Sequence, residues 1–332
     1  MNWLSLGAGL LTGVAAEQLA TLPLRRGTES VASPRPELAV DFEIPTPDGG
    51  VIRGVEAGDG PPLILLHGIT LRADVWHRQW ELADEARVIA VDLRGHGLST
   101  AGSDGASIEA NARDLALLLE TLDLEGAVIA GHSMGGMVLG RFIADFWNAD
   151  HGLEDDSVQS RVAGLGFIST AGRSPVGLAN GFLQNASAPA SSFAVRFPEL
   201  TNRLTSIPDN DLGQILVRST FGKRPDLRDV RETAAAFESL EVDQFLAAAP
   251  SILDHDVLEA LTECDLPASI IVGSRDPLTP VRESRRLARA LPDATVTVVP
   301  DAGHQLMLER PDEVNEMLRS LLAKAAVRPG QG

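Results

Sequence analysis

Six short, mostly apolar runs constrain this chain more than any other feature. They fall at residues 63–66, 88–91, 127–130, 162–168, 270–272 and 295–299. A strand with one wet face alternates apolar and polar residues, whereas a strand buried on both faces reads as a near-continuous apolar run. Between these runs the pattern turns helical. Ile108, Ala112, Leu115, Leu119 and Leu122 share one face of a helix over residues 108–122. Further helices are expected at 137–147, 283–290 and 311–325. The last begins on Pro311 with Asp312 and Glu313 beside it, the residues that helix starts prefer. Ahead of the first buried run, residues 38–44 and 51–56 read as a hairpin turning at Pro47-Asp48-Gly49-Gly50. Strands alternating with helices imply an α/β fold, a largely parallel sheet covered on both faces.

The alternation breaks between about residues 172 and 256. Pro198, Pro208 and Pro225 punctuate that stretch, and short helices are expected at 212–220, 230–240 and 242–249. The chain therefore divides into an apolar N-terminal segment and linker (1–37), a core (38–171 and 257–326), an inserted helical cap (172–256) and a tail (327–332). With 332 residues there is ample chain for a core plus a lobe. Residues 3–24 are apolar and small but contain Glu17, and no basic stretch precedes them. Three readings stay open there: a short helix that packs on the body or lies at a membrane interface, an atypical secretory signal, and a membrane anchor. The expected location is cytoplasmic, with membrane association or secretion left open by that segment. A net charge of −18 argues against nucleic acid and anionic membrane surfaces as partners, and favours a small neutral or apolar molecule. Cys264 is the sole cysteine, so neither an internal disulfide nor a CxxC metal site can form. The residues call for no cofactor and no metal.

The chemistry centres on Gly131-His132-Ser133-Met134-Gly135-Gly136, between the apolar run ending at Ala130 and the helical run that follows. A sharp strand-to-helix turn thrusts a serine hydroxyl outward, and glycines around it avoid clashes. Such a serine needs a base. His67, His96 and His132 sit in glycine-containing turns and read as structural, His77 and His151 lie in polar, exposed runs, and His255 reads as a surface or hinge residue. His304 lies in Pro300-Asp301-Ala302-Gly303-His304, past the last expected strand, on the same sheet edge as Ser133. The base needs an acid to orient it. Asp276 follows the run 270–272 directly; Asp301 is the rival, read instead as a turn residue, and the competing reading of Asp276 is a surface ion pair with Arg275. Two backbone N–H groups must converge on the developing oxyanion. Met134, after the serine, supplies one, and Ile69 in His67-Gly68-Ile69-Thr70 is the candidate for the other.

These residues, with the run Asp92-Leu93-Arg94-Gly95-His96-Gly97-Leu98-Ser99, resemble the α/β-hydrolase superfamily with a helical cap, over about residues 38–325. The resemblance implies an eight-stranded core, a cap that helps form the substrate pocket, and a serine esterase-like activity through an acyl-enzyme. Serine rather than aspartate at position 133 argues against epoxide hydrolase and haloalkane dehalogenase relatives. Lactone, thioester or carbon–carbon cleavage, perhydrolysis of the haloperoxidase type and acyl transfer use the same machinery, and some relatives are ligand-binding proteins without catalysis. Phe182, Leu183, Phe193 and Phe197 are candidates either for an acyl pocket or for the cap's own core.

Overall fold

The computed structural model describes residues 35–147, 158–174, 217–239 and 242–327. Eight strands form one sheet in the order β1-β2-β4-β3-β5-β6-β7-β8. They are β1 (Val40–Pro45), β2 (Val51–Ala57), β3 (Pro62–Leu66), β4 (Arg87–Asp92), β5 (Ala127–His132), β6 (Val162–Ile168), β7 (Ala268–Gly273) and β8 (Ala294–Val299). The six apolar runs are β3 to β8, and the expected hairpin is β1–β2, paired antiparallel. Only β2 runs against the rest: it pairs antiparallel with both β1 and β4, while every pair from β4 to β8 is parallel. At the hairpin turn Gly49 has φ 88°, a backbone that L side chains rarely adopt.

Among the described residues the helices of ten residues or more are α1 (Ile108–Thr121), α2 (Met134–Phe146), α3 (Leu227–Ser239), α4 (Val242–Asp254), α5 (Val281–Ala290) and α6 (Pro311–Ala326). The period of two along each strand decides which side a residue serves. Ile64, Leu66, Ile89 and Ile129 pack with α1, α2 and Leu287 of α5 on one face. Leu63, Leu65, Val88 and Val128 pack with Val314, Leu318 and Leu321 of α6, and with Val230 and Ala234 of α3, on the other. Each such fully buried aliphatic side chain contributes about 1.5–3 kcal/mol. Helix α1 starts on Ser107, whose Oγ accepts the Ala110 N–H at 3.1 Å.

Some boundaries differ from the sequence reading. Helix α2 begins at Met134, three residues earlier than expected, because the helix follows the serine turn directly. Helix α4 runs through Pro250 to Asp254, not stopping at residue 249. Its partners explain the extension: Ala248 lies in the core and Ser251 Oγ accepts the Ile108 N–H at 3.0 Å. Of the expected helix 212–220, residues 217–220 are described and helical. Two 3-10 segments between β3 and β4, Ala73–Trp76 and Gln79–Asp84, had no periodic signal. Most of the expected cap, including Phe182, Leu183, Phe193 and Phe197, lies outside the described residues, as do His151 and residues 1–34. Among the described residues no helix is long and apolar enough to cross a membrane.

Candidate active site

Strand order fixes where the site can form. Strand β3 lies between β4 and β5, so the connections leaving it and leaving β5 diverge to opposite sides. Ligands in open α/β sheets bind at such a switch point, beyond the strand C-termini. The loop after β3 and the turn after β5 meet there. A Cβ on Gly68 would meet His132 Nδ1 at 2.7 Å and Ser133 Cβ at 3.1 Å, so only glycine allows that approach. Gly135 is pressed in the same way against the main chain of Leu66 and His67.

Ser133 is half-buried, between β5 and α2, with φ 51° and ψ −115°. A serine in that conformation is held by its surroundings against strain of ~1–3 kcal/mol. Its N–H donates to Ile168 O at 3.0 Å, and its carbonyl accepts from Gly136 N and Met137 N at 3.0 and 3.1 Å. Thr170 Oγ1 donates to the same carbonyl at 2.6 Å. Met134 is the first residue of α2, where the leading amides have no partner within the helix. Ile69 is half-buried in the loop after β3.

Asp276 and His304 meet although 28 residues separate them. His304 Nδ1 donates to Asp276 Oδ2 at 2.8 Å, and both residues are buried. Asp276 is saturated with donors: Oδ1 accepts from Leu278 N at 2.8 Å and Thr279 N at 2.9 Å, and Oδ2 accepts from Thr279 Oγ1 at 2.8 Å. Burial pushes the Asp276 carboxyl up, but the charge and hydrogen bond of His304 and the Thr279 donors outweigh it and hold the group below the usual carboxylate range. The rival placements fail on geometry. Arg275 Nε pairs with exposed Asp301 at 3.1 Å rather than with Asp276, and Asp301 has φ 58° in the turn.

His132, His67 and His96 tie the surrounding loops together. His132 Nε2 donates to His304 O at 3.0 Å and its ring lies 4.8 Å from that of His304. Burial, then the neighbouring His304, pushes His132 down to about 3, so it stays neutral and carries the elbow against the His304 loop. His67 Nδ1 donates to Gly68 O while Nε2 accepts Leu93 N–H, which bridges two loops. His96 Nδ1 donates to Arg94 O. His255, read as a surface or hinge residue, is not at the surface: it is 5% exposed, where the chain returns to the core beside Ser174. His77 is half-buried rather than exposed. Within Asp92-Leu93-Arg94-Gly95-His96-Gly97-Leu98-Ser99, Asp92 braces the loops by accepting Ala73 N–H and Leu98 N–H, and Arg94 is buried between Asp48 and Asp114. The sequence reading did not single out Thr279 or Thr170. The three-residue step from Asp276 to Thr279 is a local capping pattern that could have been noticed; Thr170 becomes visible only once β6 lies beside β5.

A family model described as the Alpha/beta hydrolase family matches residues 63–317. The dihydrolipoyllysine-residue acetyltransferase component of the acetoin cleaving system of Pseudomonas putida is 30% identical over 90% of this chain and 72% of its own length. The non-heme chloroperoxidase CPO-A1 of Kitasatospora aureofaciens is 27% identical over 83% of this chain and 96% of its own. A solved thermophilic esterase from Thermogutta terrifontis superposes with a TM-score of 0.70 at 27% identity, covering 86% of this chain and 99% of the esterase.

Proposed function

Because the chain belongs to the alpha/beta hydrolase family, we propose that it is a serine hydrolase that cleaves a carboxylic ester, or a related acyl bond, of a small neutral to apolar substrate. The observation that carries this reading is the 2.8 Å hydrogen bond from His304 Nδ1 to Asp276, at the sheet edge where the strained turn presents Ser133. Asp276 fixes the tautomer that leaves His304 Nε2 free to accept a proton. Ser133 Oγ attacks the acyl carbon as His304 takes its proton, and a tetrahedral oxyanion forms. The N–H groups of Ile69 and Met134 receive that oxyanion. Its collapse expels the alcohol, which takes the proton from His304, and leaves the acyl group on Ser133. Water, deprotonated by His304, attacks the acyl-enzyme; the acid departs and Ser133 regains its proton.

A second reading has its own support. Relatives named as a chloroperoxidase and as an acetyltransferase component align over most of the chain. Both reactions fit the same acyl-enzyme: peroxide in place of water releases a peracid, and an alcohol or thiol acceptor releases a new ester or thioester. Product analysis with and without hydrogen peroxide or an acceptor alcohol separates these outcomes from hydrolysis.

A fluorophosphonate probe followed by peptide mapping tests the common step. Ser133 takes the label; Ser133→Ala abolishes it, and His304→Ala slows it by ~10²–10⁴-fold. Labelling at full rate in Ser133→Ala overturns the mechanism, and a wild-type protein that never labels points to a ligand-binding relative. A series of p-nitrophenyl esters of increasing chain length then reads the acyl preference.

A further inference from the structure

A belt of main chain, residues 217–223, is fastened to the loop that carries His304. The His304 N–H donates to Thr220 O at 2.7 Å, and the Lys223 N–H to Asp301 O at 2.9 Å. Gln305 Nε2 reaches Thr220 Oγ1 at 3.4 Å. The contact is backbone on backbone: a Cβ on Gly303 would meet Gly222 N, Phe221 C and Thr220 O at 2.5 Å, and a Cβ on Gly222 would overlap Asp301 O. Arg218, 3% exposed, stiffens the belt from within by donating to Gly222 O at 2.9 Å and Lys223 O at 3.4 Å.

One carboxylate joins the two pieces. Glu309 Oε2 accepts the Gly222 N–H at 2.6 Å and the Gly303 N–H at 3.1 Å, and Oε1 lies 3.0 Å from the same Gly303 nitrogen. Burial pushes this carboxyl up, and the amide donors oppose the shift. Gly303 is the residue immediately before His304, and Asp301 beside it already sits at φ 58°. No side chain of Gly303 can anchor that loop, so its amide is the available handle. Amides bonded to an anionic acceptor are held about twice as strongly as amides bonded to a neutral one.

We infer that Glu309 is a positioning residue: by clamping the Gly222 and Gly303 amides it holds the His304 imidazole in line with Asp276 and ties that alignment to the belt within the inserted segment. The inference rests on His304 being the general base. A displacement of about 1 Å in a catalytic group can cost ~10²-fold in rate. Glu309→Ala should therefore lower kcat by ~10–10²-fold, with KM changed by less than about threefold and fluorophosphonate labelling slowed in parallel. Glu309→Gln keeps an oxygen at the Oε2 position that accepts both amides but loses the charge, and should fall between the wild type and the alanine variant. Glu309→Asp keeps the charge but falls short of the second amide, and should resemble the alanine variant; it decides the matter if Glu309→Ala does not fold. The downfield NMR resonance of the His304 Nδ1 proton supplies a readout independent of turnover, and should broaden through solvent exchange in the alanine and aspartate variants. Loss of thermal stability with kcat and that resonance unchanged would reduce Glu309 to a structural residue and overturn the proposal. So would a glutamine variant as slow as the alanine one. If Ser133 never labels in the wild type, the general-base reading fails instead, while the resonance still reports whether Glu309 holds the imidazole.

Discussion

At the scale of single residues, the geometry of the proposed site depends on small hydroxyls behind Ser133 and Asp276. Thr279 Oγ1 is one of four donors to Asp276. Thr279→Val should cost ~1.5–3 kcal/mol in urea unfolding, because a buried carboxylate loses a hydrogen bond, and should slow kcat about tenfold, the equivalent of ~1.4 kcal/mol. The pH dependence has a definite sign. A carboxyl depressed in the folded state stabilises the protein above its unfolded pKa, and that stability is lost as pH falls through the folded value. Thr279→Val shrinks the depression, so acid unfolding should begin at a higher pH than in the wild type. Thr170 does for the proposed nucleophile what Thr279 does for the proposed acid, holding the Ser133 carbonyl at 2.6 Å. Thr170→Val should cost ~1 kcal/mol and slow Ser133 labelling, whereas Thr170→Ser keeps the donor and should label at close to the wild-type rate.

At the scale of elements, the turn from β5 to α2 tolerates almost no added volume. A Cβ on Gly131 would strike the main chain of Gly135 and Gly136, and one on Gly136 would meet the Thr170 side chain at 2.6 Å. Gly131→Ala should cost ~1–3 kcal/mol by forcing the helix away from the strand, seen as a lower Tm together with loss of labelling. These elements were legible in the sequence because burial on both sheet faces writes itself as apolar runs, as in β3 to β7; the run at 295–299 is instead the edge strand β8, where Thr295, Thr297 and Val298 are exposed. The placement of Ser133, Asp276 and His304 at one sheet edge was legible for a related reason: each lies a few residues beyond such a run. What escaped notice has equally physical causes. The 3-10 segments have no 3.6-residue period to detect, and proline at 250 masks a helix that tertiary contacts carry onward. His255 is followed by an acidic residue and looks wet, yet it is buried where residues 172–174 pair with residues 255–257. Glu309 stands five residues past His304 in an otherwise apolar turn, and its role depends on Gly222, which nothing in the local sequence brings near.

At the scale of the whole molecule, buried neutral histidines set the acid limit. Burial, the leading cause in each case, holds His132 at about 3 and His255 at about 4, and also lowers His67 and His96. An unfolded histidine titrates at about 6.5. Below that pH the unfolded chain binds more protons than the folded one, so stability falls by up to ~1.4 kcal/mol per pH unit for each such histidine. Urea midpoints should therefore drop from about pH 6.5 downward, well before carboxylates titrate, and His255→Gln should make that slope shallower by about one histidine's worth. A midpoint flat between pH 7 and 5 would contradict this. The sheet order carries one more consequence, in the time domain. Ser133 follows β5, whereas His304 follows the edge strand β8, with β6 and β7 between them in both sequence and sheet. Contacts so distant in sequence form late. Early in folding the chain thus carries the serine without its proposed base, and the acyl chemistry proposed for it would switch on only when β8 docks. In a refolding experiment, capture of the probe by Ser133 should lag behind the recovery of helical signal.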